Sequence, residues 1–296
     1  MSEPTESRRQ RASRRAGEFP PAPEPLPRPV LDSHTHLDIT VNEVGVPQGS
    51  SAADPVAAAI EVAAAVGVDR LVQVGVDVES SRWGAEVAGT YPAVVATVAL
   101  HPNEAPRCHD LDASLREIET LAAEDRVRGI GETGMDFYRT GDEGRAAQEE
   151  SFRAHIAIAK RYAKTLVIHD RDAHADVLRI LDDEGAPETV VLHCFSGDAE
   201  FAAECVRRGY LLSFAGTVTF GSAGALREAA ALTPLDQILV ETDAPYLTPM
   251  PHRGRPNASY LIPVTVRALA THTGADLDDL CAAISATGER AFGPWS

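Results

Sequence analysis

The chain has 296 residues, 44% of them hydrophobic and 24% charged, and a formal net charge of −17. This length supports one large domain or two small ones, and no apolar run approaches the roughly 18 residues that suggest a membrane span. The negative charge argues against tight, nonspecific binding of duplex nucleic acid. It does not exclude a nucleic-acid enzyme whose metal ions contact the phosphates.

The cysteine pattern and the polar N-terminus indicate the cellular compartment in which the protein is expected. Cys108, Cys194, Cys205 and Cys281 form no C-x-x-C pair, which is typical of reduced thiols. The first residues lack the apolar core of a secretion signal. We therefore expect a cytoplasmic protein with no membrane association, no cysteine-built zinc site and no evident obligate protein partner.

The first 29 residues contain seven prolines, six arginines and four glutamates. A segment with so few large apolar side chains cannot bury a core, which predicts a disordered Pro/Arg-rich arm over residues 1–29. The folded domain is then expected over residues 30–296. Deleting residues 1–28 should leave the melting temperature nearly unchanged.

From Val30 onward, apolar β-type runs alternate with Ala-rich helical stretches. The predicted strands are Val30–Asp32, Arg70–Val76, Val94–Leu100, Val127–Ile130, Leu166–Ile168, Val190–Leu192, Tyr210–Phe214 and Ile238–Val240. The predicted helices cover residues 54–66, 80–90, 111–123, 145–163, 172–184, 198–208, 222–231, 258–272 and 276–286. Apolar strands separated by helices indicate a parallel sheet that is covered on both faces.

Eight such strand–helix units predict an α/β fold of the closed (β/α)8 TIM-barrel type, as a single domain. An open, doubly wound sheet is the alternative. The first strand is not followed by the G-x-G-x-x-G sequence of dinucleotide-binding sheets. The usual dinucleotide-binding form of the open sheet is therefore not expected.

The first strand leads into the segment Leu31-Asp32-Ser33-His34-Thr35-His36-Leu37-Asp38. Because side chains alternate along a strand, His34 and His36 should lie on one face, where two imidazoles can hold one divalent metal ion. For an isolated His-x-His, one packed and one solvated histidine is the ordinary alternative.

Further residues of metal-ligand type recur at the ends of the predicted strands. Each alone has an ordinary structural explanation, such as a hydrogen-bonded core histidine or a helix cap. In a barrel, however, the C-terminal ends of the strands converge on the face that carries active sites. The recurrence of ligand-type residues at these ends therefore predicts a metal centre. The proposed ligands are His34, His36, Glu132, His169, His193 and Asp243.

Six ligands are too many for one four-coordinate ion with an open position, which predicts two divalent ions. Glu132 would bridge them, because a carboxylate has two oxygens. Two such ions can activate water, and Asp243 could accept its proton as general base, so Asp243 and Glu132 are the predicted catalytic residues. One ion would be held by His34, His36 and Asp243, the other by His169 and His193.

Four segments resemble the motifs of the TatD family of metal-dependent deoxyribonucleases, a resemblance that covers residues 30–293. They are Asp32-Ser33-His34-Thr35-His36-Leu37-Asp38, Gly131-Glu132-Thr133-Gly134-Met135-Asp136, His193-Cys194-Phe195-Ser196-Gly197 and Glu241-Thr242-Asp243-Ala244-Pro245-Tyr246-Leu247. Pro251-His252-Arg253-Gly254 and Arg290-Ala291-Phe292-Gly293 are similar to that family's closing segments. The resemblance implies a barrel of the amidohydrolase superfamily, the ligand set above, Mg²⁺, Mn²⁺ or Zn²⁺ as cofactors, and hydrolysis of phosphodiester bonds in DNA.

Four residues are weaker candidates for substrate binding. His101 ends the third predicted strand, and Arg139 follows the Glu132 loop. His252 and Arg253 follow the eighth strand, where barrels often bind phosphate, and Arg253 could form a bidentate pair with it. A surface or loop-bracing arginine is the alternative, and the family resemblance favours contact with substrate.

The leading prediction is a deoxyribonuclease that acts on single strands or fragment ends, as an exonuclease. One alternative is a small-molecule hydrolase on the same barrel. Many such enzymes bridge their metals with a carboxylated lysine after the fourth strand, where this chain has Glu132 and no lysine nearby. The other alternative is a non-catalytic barrel that binds nucleic acid or protein, against which the intact ligand set argues.

Overall fold

The computed structural model describes residues 17–295. Its strands are β1 Val30–Thr35, β2 Val68–Val74, β3 Val94–Val98, β4 Val127–Asp136, β5 Thr165–Arg171, β6 Val190–Leu192, β7 Leu211–Phe214 and β8 Ile238–Val240. The helices of nine or more residues are α1 Pro55–Ala64, α2 Val78–Thr90, α3 Leu111–Ala122, α4 Asp142–Tyr162, α5 His174–Glu184, α6 Ala199–Arg207, α7 Gly224–Leu232, α8 Ile262–Thr273 and α9 Leu277–Phe292. Shorter helical segments are Leu37–Ile39, Thr40–Val44, Ala105–Arg107, Gly216–Thr219, Leu235–Gln237 and Ser259–Leu261.

The eight strands form one parallel sheet in sequential order from β1 to β8. The segment after β8 joins the two edges, because the Asp243 N–H donates to the His34 carbonyl and the His36 N–H donates to the Ala244 carbonyl, both at 2.9 Å. The predicted (β/α)8 TIM barrel is therefore confirmed, and the open sheet is excluded.

Local sequence signals explain where many helices begin. Five of the long helices start after an aspartate whose side chain accepts a backbone N–H of the first turn, which satisfies a donor that the helix leaves unpaired. Strand side chains such as those of β3 are buried throughout, because helices cover the outer face and side chains fill the barrel. The capping aspartates are Asp54, Asp77, Asp110, Asp198 and Asp276.

The fourth and fifth strands are longer than predicted. The sequence predicts that β4 ends at Ile130, but it continues to Asp136 and pairs Gly134 with His169 of β5. The glycines of this stretch are poor strand formers, which is why the sequence pattern does not reveal the extension. Glu132 and His169 consequently lie on paired strands instead of free loops.

Residues 17–29 differ from the prediction of a disordered arm. This stretch, here called the N-terminal strap, has no regular secondary structure but follows the barrel surface, where Leu26 is buried and Phe19 packs against the core. The prediction is therefore wrong for residues 17–29, and its remainder, residues 1–16, lies outside the described residues. Prolines cannot donate a backbone hydrogen bond, but their carbonyls still accept one, and side chains of the barrel use them.

The strap is held by hydrogen bonds to residues that are distant along the chain. Arg255 donates to the Phe19 carbonyl (2.7 Å) and Tyr260 Oη to the Pro20 carbonyl (2.5 Å). Further on, the Leu26 N–H donates to the Val66 carbonyl (3.0 Å). Sequence composition identified the shortage of apolar residues but not these distant partners.

Within residues 17–295, no helix combines the length and apolarity needed to cross a bilayer. All four cysteines are free, with Cys205 and Cys281 buried and Cys108 and Cys194 half-buried. Burial raises the pKa of Cys205 to about 12, so this side chain is a thiol at neutral pH. The cytoplasmic location stays a prediction.

Candidate metal centre

The six predicted ligands lie together at the C-terminal end of the barrel, arranged around Glu132. Its Oε1 lies 3.6 Å from His36 Nε2 and 3.8 Å from His34 Nε2. Its Oε2 lies 2.9 Å from His193 Nε2 and 3.2 Å from His169 Nδ1. The two oxygens of one buried carboxylate thus face two different pairs of histidines.

Asp243 completes the first of these groups. Its Oδ1 lies 3.3 Å from His36 Nε2 and 3.9 Å from His34 Nε2, and its side chain is 13% exposed. Two ligands that each lie about 2.0–2.2 Å from one tetrahedral ion are about 3.3–3.6 Å from each other. The separations among these three side chains are therefore close to those of ligands that share a metal ion.

His34 provides a direct test of whether this group suits a metal. The ring is fully buried, and neither of its nitrogens has a hydrogen-bond partner among residues 17–295. Burial, reinforced by His193, lowers the pKa of His34 to about 4, so the ring is neutral at pH 7. Neutral imidazole is the form that ligates metals, and a buried polar atom without a partner is costly. A divalent cation beside Nε2 would satisfy it, and the donor set fits one.

The other three histidines each use their outer nitrogen to contact an acceptor. An acceptor at this position holds the ring proton on the outer nitrogen and leaves the inner lone pair directed at the cluster. Spacing along the sequence predicts the inner ligands but does not pair each ring with its acceptor. The acceptors are the Val74 carbonyl for His36 Nδ1, Asp136 Oδ2 for His169 Nε2 and Glu241 Oε1 for His193 Nδ1, each at 3.2 Å.

Glu241 and Glu132 give the cluster an excess of negative charge. Burial lowers the pKa of His193, but these two carboxylates raise it to about 10, against an ordinary value of 6.5. The same carboxylates would favour a bound cation in place of the proton. Glu241 Oε1 also accepts the Cys194 N–H at 2.8 Å, which fixes the carboxylate behind His193. The sequence left the role of Glu241 open.

His101 also lies at the cluster, but its proton is on the nitrogen that faces the cluster, unlike the three histidines above. Its Nε2 is 3.6 Å from Glu132 Oε2, and its position relative to Glu132 and His169 would allow a shared ion. However, its Nδ1 accepts the Asn103 N–H at 3.0 Å. In a neutral imidazole an accepting Nδ1 leaves the proton on Nε2, so His101 presents a donor to the cluster. This arrangement suits contact with a substrate oxygen better than metal ligation.

The cluster opens into a cavity of about 360 Å³. His101, Asp243 and the predicted substrate residue Arg139 line it. Arg171 and Tyr246 also line it, and the sequence analysis missed both. A signal for Arg171 existed, because it follows His169 by two residues and therefore shares a strand face with it.

His252 and Arg253 do not line this cavity, and their role in substrate binding stays a prediction. The Arg253 guanidinium lies 4.6 Å from the centre of the Phe220 ring, a cation–π contact on an exposed loop. The His252 N–H donates to the Pro249 carbonyl in the same turn. Both residues follow the eighth strand, as the sequence places them.

Three residues of the cavity lining have left-handed backbone conformations. Cys194, Asp243 and Leu247 have φ angles of 43°, 51° and 55°. Such angles cost about 1 kcal/mol or more for residues other than glycine and persist where the surrounding structure holds them. Two of the three directly follow or carry a proposed ligand, which is consistent with a site geometry selected for function.

The comparisons with known proteins agree with this geometry. A model of the family described as TatD related DNase matches residues 31–293. The chain is 47% identical over 268 residues to the uncharacterized metal-dependent hydrolase TatD of Mycobacterium tuberculosis, covering 89% of this chain and 98% of that protein.

Two further relatives extend the comparison. The 3'-5' ssDNA/RNA exonuclease TatD of Citrobacter rodentium is 36% identical over 238 residues, covering 77% of this chain and 88% of that protein. The crystal structure of YJJV, a TatD homolog from Escherichia coli, superposes with a TM-score of 0.81 at 26% identity and covers 90% of this chain and 98% of that one. From the barrel, its metal-type cluster and these matches, the chain belongs to the TatD family of metal-dependent hydrolases.

Proposed function

We propose that the chain is a two-metal deoxyribonuclease that shortens single-stranded DNA from an end. One observation carries the proposal: the two oxygens of Glu132 face separate histidine pairs, at 3.6 and 3.8 Å on one side and at 2.9 and 3.2 Å on the other. This is the arrangement expected of a carboxylate that two ions share, with His34, His36 and Asp243 around one and His169 and His193 around the other.

The chain's own side chains supply the remaining chemistry. When bound, a pair of divalent ions lowers the pKa of water and offsets charge on a phosphoryl oxygen. Asp243 lines the cavity and can accept the proton of the attacking water, while Glu132 holds the two ligand groups in register. The Nε2–H of His101 can donate to a phosphate oxygen, and Arg139 provides positive charge at the cavity.

Two observations support a nucleic-acid substrate. The Citrobacter rodentium relative is named as an exonuclease that acts on single-stranded DNA and RNA from the 3' end. The cavity also has two arginines, Arg139 and Arg171, in a chain whose net charge is −17. A concave site of this size accepts a strand end more readily than the middle of a duplex.

Hydrolysis of a small phosphoester is the second candidate, because a cavity of about 360 Å³ also suits a small molecule. Hydrolases that bridge their metals with a carboxylated lysine are a poor match. The chain has only two lysines, Lys160 and Lys164, and both line a different cavity, which includes the first residue of β5.

The test is turnover of a single-stranded oligonucleotide labelled at its 5' end. The metal-stripped protein is supplied with Mg²⁺, Mn²⁺ or Zn²⁺ in separate reactions, beside a 3'-labelled strand and a small chromogenic phosphodiester. We expect metal-dependent shortening of the 5'-labelled strand in single-nucleotide steps, with early release of the 3' label as a mononucleotide.

Cleavage of the small phosphodiester with no cleavage of either oligonucleotide would contradict the nuclease proposal in favour of the second candidate. Internal cuts without a ladder would contradict the exonuclease mode alone. A Glu132→Gln protein serves as the control for a contaminating nuclease, because its activity should be lost in every reaction.

A further inference from the structure

We propose that Tyr138 and Arg171 form a stacking platform beside the cavity, which binds the base of a nucleotide in a single-stranded end. The inference rests on the proposed function and deepens it, because it names the feature of the substrate that is recognised next to the metal centre. It concerns two residues that the sequence analysis did not select.

Tyr138 is unusually exposed for an aromatic residue. Its exposed fraction is 64%, the largest among the exposed large hydrophobic side chains of residues 17–295, ahead of Met250 at 43% and Leu232 at 39%. Its backbone is nevertheless held in place, because its N–H donates to Asp136 Oδ1 at 3.1 Å. The other oxygen of Asp136 faces His169 at 3.2 Å, so one carboxylate ties the Tyr138 loop to the metal centre.

Arg171 connects this ring to the cavity. Its guanidinium carbon lies 3.9 Å from the centre of the Tyr138 ring, which is a close cation–π stack, and its side chain also lines the cavity. The contact holds one face of the ring. Because 64% of Tyr138 is exposed, the ring keeps accessible surface for a flat partner.

The charge around the platform favours a nucleotide. Two of the acidic residues near the platform have partners: Asp170 pairs with His174 at 2.7 Å, and Asp136 contacts His169. Arg171 and the neighbouring Arg139 therefore provide positive charge beside an exposed ring, in a chain that is strongly acidic overall.

This combination is the one that proteins use for single strands. Every base has a π face, so an aromatic ring binds bases with little sequence preference, while arginine contacts the backbone and contributes cation–π attraction. In a duplex the bases stack on one another and are not available to such a ring. The platform therefore selects a base-bearing single-stranded end over a duplex end.

The experiment compares two oligonucleotides of equal length and charge, a thymidine octamer and an octamer of abasic tetrahydrofuran residues. Binding to the full-length, metal-stripped chain is measured by fluorescence anisotropy, so that hydrolysis does not consume the probe. We expect wild type and Tyr138→Phe to bind the thymidine octamer about tenfold more tightly than the abasic one, and Tyr138→Ala to lose this difference.

Two further variants serve as a control and as a second measurement of stacking. Leu232→Ala removes an exposed apolar side chain at the end of α7, outside the cavity lining, and should keep the tenfold difference. In Tyr138→Trp, stacking should quench the emission of the new tryptophan when the thymidine octamer is added, and the abasic octamer should leave it unchanged.

Equal affinity of wild type for the two octamers, including undetectable binding of both, would overturn the platform, and so would a Tyr138→Ala protein that still discriminates. These results are separable from the proposed function. Oligonucleotide cleavage without discrimination would refute the platform alone, whereas discrimination by a protein that cleaves no DNA with any metal would refute the nuclease alone.

Discussion

At the scale of single residues, the partners of each histidine decide its chemistry. The His34 ring is buried, has no hydrogen-bond partner within the described residues and has a lowered pKa, which leaves it neutral and able to ligate a metal. His193 lies between two carboxylates that raise its pKa. His155, on α4, is different again: its Nε2 accepts the Leu100 N–H at 3.1 Å, and its Nδ1 lies 2.6 Å from the Ser151 carbonyl. That arrangement is purely structural and holds the backbone next to His101.

His155 leads to a prediction about acid stability. Burial lowers its pKa from 6.5 to about 4, so between these values the unfolded chain binds a proton that the folded chain does not. The stabilisation is fully present above pH 6.5 and is lost as the pH falls towards 4, by about 3 kcal/mol in total. His155→Gln can still accept the Leu100 N–H through its amide oxygen but cannot titrate. Its free energy of unfolding should therefore fall less than that of wild type between pH 7 and 4.5.

The measurement is urea unfolding of both metal-stripped proteins in EDTA at several pH values, which removes the effect of metal binding on stability. The difference between the two unfolding free energies should shrink as the pH is lowered. Parallel curves for the two proteins would show that His155 is not held neutral by the fold.

At the scale of secondary-structure elements, β4 determines the site. Glu132 stands between Gly131 and Gly134, whose φ angles are 155° and 133°. A Cβ at Gly131 would overlap the Val167 carbonyl oxygen, and one at Gly134 would overlap the His169 carbonyl oxygen. The glycines let the two strands approach closely enough for Glu132 to reach His169.

Gly134→Ala should therefore disturb both stability and activity. The new methyl group must push β4 away from β5, and we expect a loss of about 1–3 kcal/mol in the free energy of unfolding together with a large loss of metal-dependent hydrolysis. Gly89→Ala is the matched control, because it lies in α2 with open space around its Cβ and should be neutral or slightly stabilising. Urea unfolding and oligonucleotide turnover measure both effects. A Gly134→Ala protein with wild-type stability and turnover would show that the close approach is unnecessary.

The same strand shows how far the sequence predicts this molecule. The order of β-type and helical segments was sufficient to predict the barrel, because the spacing of apolar residues and the helix-capping residues are local features of the sequence. The convergence of Glu132, His169 and the other proposed ligands was predicted from their positions at the ends of the strands. The continuation of β4 to Asp136 was not predicted, because Gly131 and Gly134 have no side chain of the strand-forming type. At these positions only glycine allows the close approach to β5.

Contacts between side chains that are distant along the chain could also not be predicted from the sequence. Arg171 stacks on Tyr138, and Glu241 lies behind His193, through contacts between segments that are distant along the chain. Arg253 was placed correctly after the last strand, but its packing on Phe220 depends on loop conformation. Such orientations are set by tertiary packing, which residue type and spacing do not determine.

At the scale of the whole molecule, the N-terminal strap connects distant parts of the barrel. Arg267, on α8, donates to the Glu24 and Pro25 carbonyls at 3.0 Å, and Arg28 pairs with Asp278, on α9, at 2.7 Å. Together with the burial of Leu26, these contacts join the region before β1 to the last two helices.

Removal of the strap should consequently destabilise the fold, in contrast to the sequence-based expectation for residues 1–28. A chain that starts at residue 29 should unfold at a lower urea concentration than one that starts at residue 17, with a loss of about 2–5 kcal/mol from lost burial and hydrogen bonds. Leu26→Ala in the longer chain should give part of this effect. Equal midpoints for the two truncated chains would mean that the strap contributes nothing to stability.

The central claim is that Glu132 is shared by two ligand groups, and counting bound metal tests it most directly. Wild type, Glu132→Gln and the control Glu149→Gln, whose acid lies in a surface ion-pair network with Arg153 and Arg179, are loaded with Mn²⁺ or Zn²⁺ and freed of excess ion. Bound metal per chain is then measured by mass spectrometry, with circular dichroism to confirm folding. We expect about two ions in wild type and in Glu149→Gln, and one or none in a folded Glu132→Gln. One ion in wild type, or two retained by Glu132→Gln, would contradict the shared carboxylate.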